Sequence, residues 1–500
     1  METSVSLNQN NLQQLDKRIA YPHYDRSQVK AGIAHIGVGG FHRAHQAYYT
    51  HLLMQKGEAM DWGICGIGLR KGDRKIKESL ERQDFLYTLI VRHPDTKVAS
   101  IVIGSIVDFL LSEDSPSAVI DKLASPAIKI VSLTITEGGY NFDPATGEFD
   151  FDNTEVKHDL DNPQSPKTVF GYLTAALKKR QESGISPFTI QSCDNLQHNG
   201  DVTRKMLLAF AHRQEPQLAQ WIADNVCFPN AMVDRITPLT TQSDIEYLET
   251  HQGLKDEWPV TCEPFCQWVI EDDFSDARPQ WENVGAQFVP DVTPYEKMKI
   301  RLLNAGHSVL GLLGSLHGHE TIDGCMTDAL FIKYLRRFMD VEATPVLDPV
   351  EGIDLESYKD SLLERFANPN IKDKLSRICL ESSAKLPKFL LSTIEENLKQ
   401  GGSIQYACLV IAAWCYYSDK GVNKDGLPLE IVDAMKQSLH EAAKESGTDK
   451  LAFLKIKTVF GDLYRKKRFA ELYEEMIDKI YQNPDTSVHM QNLLETDEKI

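Results

Sequence analysis

Up to about Pro294 the chain alternates short apolar runs with longer segments of helical spacing. The apolar runs predict strands at Ile33–Gly37, Gly63–Leu69, Phe85–Val91, Ile101–Ile106, Ile128–Thr136, Phe188–Ser192 and Thr261–Ile270. Between them, apolar residues spaced three and four apart predict helices at Gln46–Met54, Ser117–Leu123, Thr168–Arg180, Val202–His212 and Gln217–Asn225. Strands separated by helices imply an α/β domain whose parallel sheet is covered on both faces. The stretch Gly138–Gln164, with Asn, Asp and Pro throughout, reads as loop. Beyond Pro294 the spacing becomes mainly helical, most clearly at Tyr295–Leu313, Ala329–Asp340, Tyr358–Ala367, Ile404–Tyr417 and Ala452–Phe460. The composition shift and the prolines within Gln287–Pro294 place a domain boundary there, giving domains 1–287 and 288–500. Asn483–Ile500 reads as a polar, poorly ordered tail.

Two stretches carry candidate chemistry. The first is Ala34-His-Ile-Gly37-Val-Gly39-Gly40-Phe41-His42-Arg43-Ala44-His45, an apolar strand running into a glycine turn and then a helix. A dinucleotide-binding loop needs this order, because glycines admit the pyrophosphate to the backbone and a helix start offers free N–H groups. Gly37 and Gly39 match the first two glycines of the fingerprint, and His42 stands at the third. After the next strand, Asp73 is the candidate for the ribose hydroxyls, although it lies beyond the usual spacing of about 20 residues. Arg70, Lys71 and Arg74 surround it, so a 2′-phosphate is not excluded.

The second stretch is Lys299-Ile-Arg-Leu-Leu-Asn304-Ala-Gly-His307, inside an apolar run from Met298 to Leu313. At roughly 100° per residue, Lys299, His307 and Asn304 fall near 0°, 80° and 140° on one helix face. Burial disfavours an ammonium, so a lysine there loses its proton near neutral pH. An amide and an imidazole beside it hold a hydroxyl or a developing alkoxide. The pattern points to a metal-free site that takes a proton from an alcohol; the same spacing also describes an ordinary amphipathic helix.

Composition narrows the class. A net charge of −18 disfavours nucleic acid and anionic membrane as partners. The nine cysteines are scattered, with no zinc-type spacing, and point to free thiols in a reducing compartment, the cytoplasm. The N-terminus lacks a basic segment followed by an apolar core, so no signal peptide is expected. No apolar run is long enough for a membrane span.

With these residues in hand, the chain resembles the polyol-specific long-chain dehydrogenases, the mannitol dehydrogenase family. The resemblance runs through Gly37 to His45, Thr134-Ile-Thr-Glu-Gly-Gly-Tyr140, Ser192-Cys-Asp-Asn195, Phe228 to Pro238, Cys262-Glu-Pro-Phe265, Lys299 to His307, and Ser382 to Phe389. It implies a Rossmann-type N-terminal domain, a mainly α-helical C-terminal domain and an active site in the cleft between them. It implies Lys299 as general base, Asn195 and Asn304 as amides on the reacting oxygen, and His307 as the residue orienting the substrate. Glu137 and Glu296 match positions of proton passage and gating. Asp234, Arg377 and Lys385 match outer substrate contacts. Gly37, Gly39, Gly40, Phe41 and Asp73 match the cofactor site, with NAD expected and NADP not excluded, because Gly72 stands where a second acid is expected. The implied reaction is reversible oxidation of D-mannitol at C2 to D-fructose by a monomer without a metal. Hexuronate reductases, acting on fructuronate or tagaturonate, share several motifs; Arg377 or Lys385 would then clamp the carboxylate. D-arabinitol is a further polyol the family admits.

Rival readings remain. Tyr295-Glu-Lys-Met-Lys299 matches the Y-x-x-x-K pair of short-chain dehydrogenases but lies about 255 residues after the glycine loop, so Tyr295 is expected only to pack. His317-Gly-His319-Glu resembles a metal-ligand set, yet two histidines at i, i+2 of a helix are expected to point apart. His42, His45 and His51 lack a thiol or carboxylate set that would complete a metal site. A cofactor-binding protein without chemistry is the alternative class, since fold alone does not prove function.

Overall fold

The computed structural model describes residues 4–95, 97–143 and 146–497. These form two compact units, Met1–Thr293 and Pro294–Ile500.

In the first unit, five parallel strands stand in the order Ile106–Leu111, Gly63–Gly68, Ala31–Ile36, Ile130–Leu133, Thr189–Ser192. Numbered along the chain this is 3-2-1-4-5, the doubly wound order, with the sheet reversing direction between the first and fourth strands. Successive residues serve opposite faces: Ile33, Ile64 and Ile130 pack on one side, and Ala34, Ile67 and Val131 on the other. Helices Val169–Glu182 and Asn199–Gln214 cover the second face. Ligand-binding loops belong at the carboxyl ends of strands where the order reverses, and there the chain continues as Gly37 and Thr134.

Three segments depart from the sequence expectations. Ile101–Ile106 is not one strand. The chain breaks at Gly104–Ser105, giving Val98–Ile103 to a four-stranded mixed sheet and Ile106–Leu111 to the parallel sheet. Thr261–Ile270 likewise splits into Val260–Cys262 and Gln267–Glu271, which join different sheets. Gly138–Gln164 contains a helix, Thr154–Asp161, whose first turn is capped by the Asn153 side chain. The strand Gln287–Val289 pairs with Gln267–Glu271 and so lies in the first unit.

The second unit is helical. Its centre is Gln405–Lys420, buried continuously from Tyr406 to Ser418, as a helix apolar all round must be. Helices Ala305–His317, Lys436–Glu445 and Lys467–Gln482 pack on it. Glu342 caps its start, accepting the Tyr406 and Ala407 N–H groups at 2.8 Å and the Ser403 hydroxyl at 3.0 Å. Burial pushes this carboxyl up to about 7. The supposed tail is helical over Thr486–Asp497, because Met490, Leu493 and Leu494 form a buried stripe among polar neighbours; residues 498–500 lie outside the described residues. No helix among the described residues is long and apolar enough to cross a membrane.

Candidate active site

The glycine turn is built by Gly37. Its φ is +94°, and a Cβ there would lie 2.2 Å from the Thr134 carbonyl oxygen, so only glycine fits. The Thr134 hydroxyl donates to the Gly37 carbonyl at 2.7 Å and fastens the turn to the end of the neighbouring strand. His35 strengthens that seam, with Nδ1 2.8 Å from Ser132 Oγ and Nε2 2.9 Å from Thr134 Oγ1. The helix begins inside the motif, at Gly40, and breaks at His45 before resuming as Gln46–Gln55. The sequence expectation of a helix from Gln46 therefore missed the turn Gly40–Ala44, whose glycine start hides it.

A dinucleotide fits these residues. Gly39 precedes the helix with no side-chain cap, so the first-turn N–H groups are open to an anion. A Cβ on Gly39 would meet nothing nearer than 3.9 Å and one on Gly40 nothing nearer than 3.7 Å. The space above both is therefore open to a pyrophosphate. Phe41 stacks on His45, centroids 4.9 Å apart. Asp73 follows the second strand and accepts the Arg70 N–H at 2.9 Å. A cavity of about 680 Å³ lies beside it, lined by Leu69, Arg70, Lys71, Ser112, Gly139 and Tyr172. Of the three cations around Asp73, Arg74 is engaged by Glu113 and Asp114, while Arg70 and Lys71 face the cavity.

At the end of the fourth strand, Thr136 takes φ +60°, a costly conformation for a β-branched residue. It opens the short helix Glu137–Tyr140, on which Glu137 is exposed within this unit. Asp194 holds this loop, accepting the N–H groups of Ile135 and Thr136 at 3.0 and 2.8 Å and the Tyr140 hydroxyl at 2.8 Å. Burial pushes the Asp194 carboxyl up, against those hydrogen bonds. Asn195 follows immediately and is exposed within the unit. Asn199 then ties the loop to the strand Ala231–Asp234, donating to the carbonyls of Asp194 and Ala231 and accepting the Ala231 N–H. Sequence reasoning assigned roles to neither Asp194 nor Asn199. Asp194 stood inside a quoted motif; for Asn199 no local signal exists.

Asp234 ends its strand, 4% exposed. Arg235 beside it donates to the carbonyls of Ala44 and Glu263 and lies over the Tyr48 ring. The Glu263 carboxylate accepts the Ile236 N–H. These bonds join the two motifs Phe228–Pro238 and Cys262–Phe265 to the end of the glycine-loop helix.

In the second unit the lysine segment is not a continuous α-helix. Thr293–Met298 is α, Lys299–Asn304 is π-helical, and Ala305–His317 is α again. The Ala305 N–H bonds back to Ile300, an i→i+5 step. Lys299 and Asn304 are themselves five apart, so this wider turn places them on one face, closer than the 140° expected of an α-helix. Lys299, Asn304 and Glu296 are 7, 7 and 3% exposed. Asn304 Nδ2 is buried with no hydrogen-bond partner among the described residues. His307 packs its ring against Phe366, centroids 4.5 Å apart. Two further π-helical segments, Met339–Ala343 and Pro387–Leu391, pack against Lys299–Asn304.

The outer contacts differ in availability. Arg377 grips Asp373 with two guanidinium nitrogens, and this pairing raises its pKa. Lys385 is half-buried and donates to the Ile378 carbonyl at 3.3 Å. Tyr295 packs, as expected, with its hydroxyl donating to the Glu351 carbonyl. His317 and His319 do not point apart. The helix ends at His317, Gly318 turns left-handed at φ +105°, and the two ring centroids are 5.1 Å apart. All nine cysteines are free, seven of them buried.

Comparison with known proteins follows the same division. A family model described as mannitol dehydrogenase Rossmann domain matches residues 31–283, and one described as mannitol dehydrogenase C-terminal domain matches residues 291–481. A mannitol 2-dehydrogenase of Aspergillus fumigatus is 46% identical over 476 residues, covering 93% of this chain and 94% of its own. The solved structure of Pseudomonas fluorescens mannitol 2-dehydrogenase, in ternary complex with NAD and D-mannitol, superposes with a TM-score of 0.89 at 47% identity. It covers 98% of this chain and 100% of that one. A D-sorbitol dehydrogenase in substrate-free form gives 0.88 at 38% identity, over 96% and 99% of the two chains. A Rossmann unit followed by a helical unit, each matched by its own family model, makes this chain a member of the mannitol dehydrogenase family.

Proposed function

We propose that this oxidoreductase interconverts D-mannitol and D-fructose at C2 with NAD, Lys299 acting as the general base and no metal taking part. The observation that carries the reading is the buried π-turn that aligns Lys299 with the unsatisfied Asn304 amide. A buried N–H donor without a partner is costly, and a substrate oxygen satisfies it. NAD, when bound, supplies the hydride acceptor. Gly37, Gly39, Gly40 and Phe41 form the turn for its pyrophosphate, and Asp73 receives the adenosine ribose.

Lys299, acting as a neutral amine, takes the proton of the C2 hydroxyl as the carbon loses its hydride. Asn304 and Asn195 donate to the oxygen as it becomes an alkoxide and then a carbonyl, which replaces the polarising role a metal would otherwise fill. His307 orients the polyol. Glu296 and Glu137 pass the proton from Lys299 outward and gate its exit. Asp234, Arg377 and Lys385 contact the outer hydroxyls. A hexuronate would need an uncompensated cation, and the commitment of Arg377 to Asp373 favours a neutral polyol.

The test is NADH consumption at neutral pH with D-fructose and D-fructuronate offered separately, each repeated with NADPH. Turnover of fructose alone supports the polyol reading. Turnover of fructuronate alone would overturn it and recast Lys385 as the carboxylate clamp. The NADPH arm reads whether Arg70 and Lys71 accept a 2′-phosphate.

A further inference from the structure

The left-handed turn at Gly318 folds His319 back under the end of the helix, where its N–H donates to the Gly314 carbonyl at 2.9 Å. Phe331 forms a wall against both imidazoles, 5.5 Å from His317 and 5.1 Å from His319 between centroids. Asp328 stands at the start of the helix Ala329–Phe338, with one carboxylate oxygen accepting the Leu330 N–H at 2.8 Å. Ligand-capable atoms of His317, His319 and Asp328 all lie within 4.8 Å of one another. Among the described residues this is the one such group of three.

Two further observations point to an ion. His317 Nδ1 donates to Asp485 Oδ1 at 2.8 Å, which fixes the tautomer and leaves the Nε2 lone pair for a ligand. A carboxylate behind a histidine is how metal-binding imidazoles are oriented and made more basic. His319 Nε2 is buried with no hydrogen-bond partner among the described residues. We propose that His317, His319 and Asp328 bind a divalent transition metal ion, zinc by preference, with Asp485 as the outer carboxylate. Two imidazoles and one carboxylate suit zinc, whereas calcium and magnesium require oxygen ligands throughout. The nearby Lys424 opposes a cation, but its ammonium is 3.4 Å from Asp425.

The site is separate from the polyol chemistry. His307 lies ten residues earlier on the same helix, roughly 15 Å along its axis. An ion here ties the end of Ala305–His317 to the starts of Ala329–Phe338 and Thr486–Asp497. Its effect is on the stability of this helical unit, since a ligand bound only to the folded state stabilises by mass action.

The full chain, stripped with chelator and dialysed, is titrated with Zn²⁺ by calorimetry and with Co²⁺ by absorption spectroscopy. One equivalent of zinc at micromolar affinity or tighter is expected, with a raised Tm. The cobalt spectrum should lack a thiolate charge-transfer band, which separates the site from the cysteines. His317→Gln and His319→Gln should each abolish binding while metal-free turnover with fructose stays at the wild-type level. Asp485→Asn should weaken binding about 10–100-fold, and it stands in for either histidine variant that fails to fold. Absence of stoichiometric binding, a thiolate band, or binding that survives both histidine substitutions would overturn the proposal.

Discussion

His35 and His42 stack ring on ring, with centroids 3.4 Å apart and planes 11° from parallel. Both are buried, and both His42 ring nitrogens lack a hydrogen-bond partner among the described residues. Burial pushes His35 down to about 3 and His42 well below its ordinary value, so the pair is neutral in the folded chain. The unfolded chain takes up these protons near pH 6.5. Stability is therefore full above that pH and is lost as pH falls from 6.5 towards the folded values. Each such histidine adds a slope of about 1.4 kcal/mol per pH unit. His42→Phe keeps the stack and removes one titrating ring. Urea unfolding between pH 8 and 5 should show a shallower acid decline in that variant; an unchanged slope would assign the acid sensitivity elsewhere.

Lys299→Ala removes the proposed base without enlarging an apolar core. Turnover with fructose should fall by roughly 10²–10⁴-fold, the usual worth of general acid–base catalysis. NADH affinity, read by fluorescence titration, should stay within about twofold of the wild type, because Lys299 is not part of the glycine turn. A loss confined to NADH binding would remove Lys299 from the chemistry.

Gly37 and Gly39 should separate folding from cofactor binding. Gly37→Ala places a methyl group against the Thr134 carbonyl at positive φ, and backbone strain of this kind costs of order 1–3 kcal/mol before the clash is added. Gly39 has φ −104° and open space, so Gly39→Ala should unfold at the wild-type temperature. It should nevertheless bind NADH more weakly, because the new methyl group occupies the approach of the pyrophosphate. Thermal unfolding paired with NADH titration checks both halves.

Asp194 is a positioning residue. Asp194→Ala strands the buried Ile135 N–H and the half-buried Thr136 N–H, at about 1–3 kcal/mol for a buried group left unsatisfied, while the Tyr140 hydroxyl keeps Ser192 as a partner at 2.6 Å. Asp194→Asn retains an acceptor and should recover part of that stability. If Asp194 also sets Asn195 and Glu137, kcat should fall in both variants, more in the alanine. Equal kcat in all three proteins would confine Asp194 to a structural role.

The sheet was legible because its strands are buried on both faces and read as continuous apolar runs between glycines, as at Gly63–Gly68. The same continuity hid the break at Gly104–Ser105, where one apolar run serves two sheets. Gly37 was legible because its conformation admits no other residue. Asp194 and Asn199 were not, since their partners lie far along the chain, at Ile135 and Ala231. The π-turn at Lys299 left no mark on the apolar spacing, because its residues pack against two other π-helical segments and not on a single α-helical stripe. The approach of His317 to His319 depended on one glycine, and a helical wheel drawn through Gly318 could not show it.

A π-turn holds one residue more than the α-helical turn it replaces, so Lys299–Asn304 behaves as a built-in insertion. Deleting a single apolar residue there, Ile300 for example, would let the segment relax into regular helix. The flanking helices could keep their hydrogen bonds, and Lys299 and Asn304, then four positions apart, would still share one face at about 40°. Length in this stretch is therefore less constrained than residue identity, and a family member one residue shorter here would be expected to keep the fold and the shared face of its lysine and asparagine.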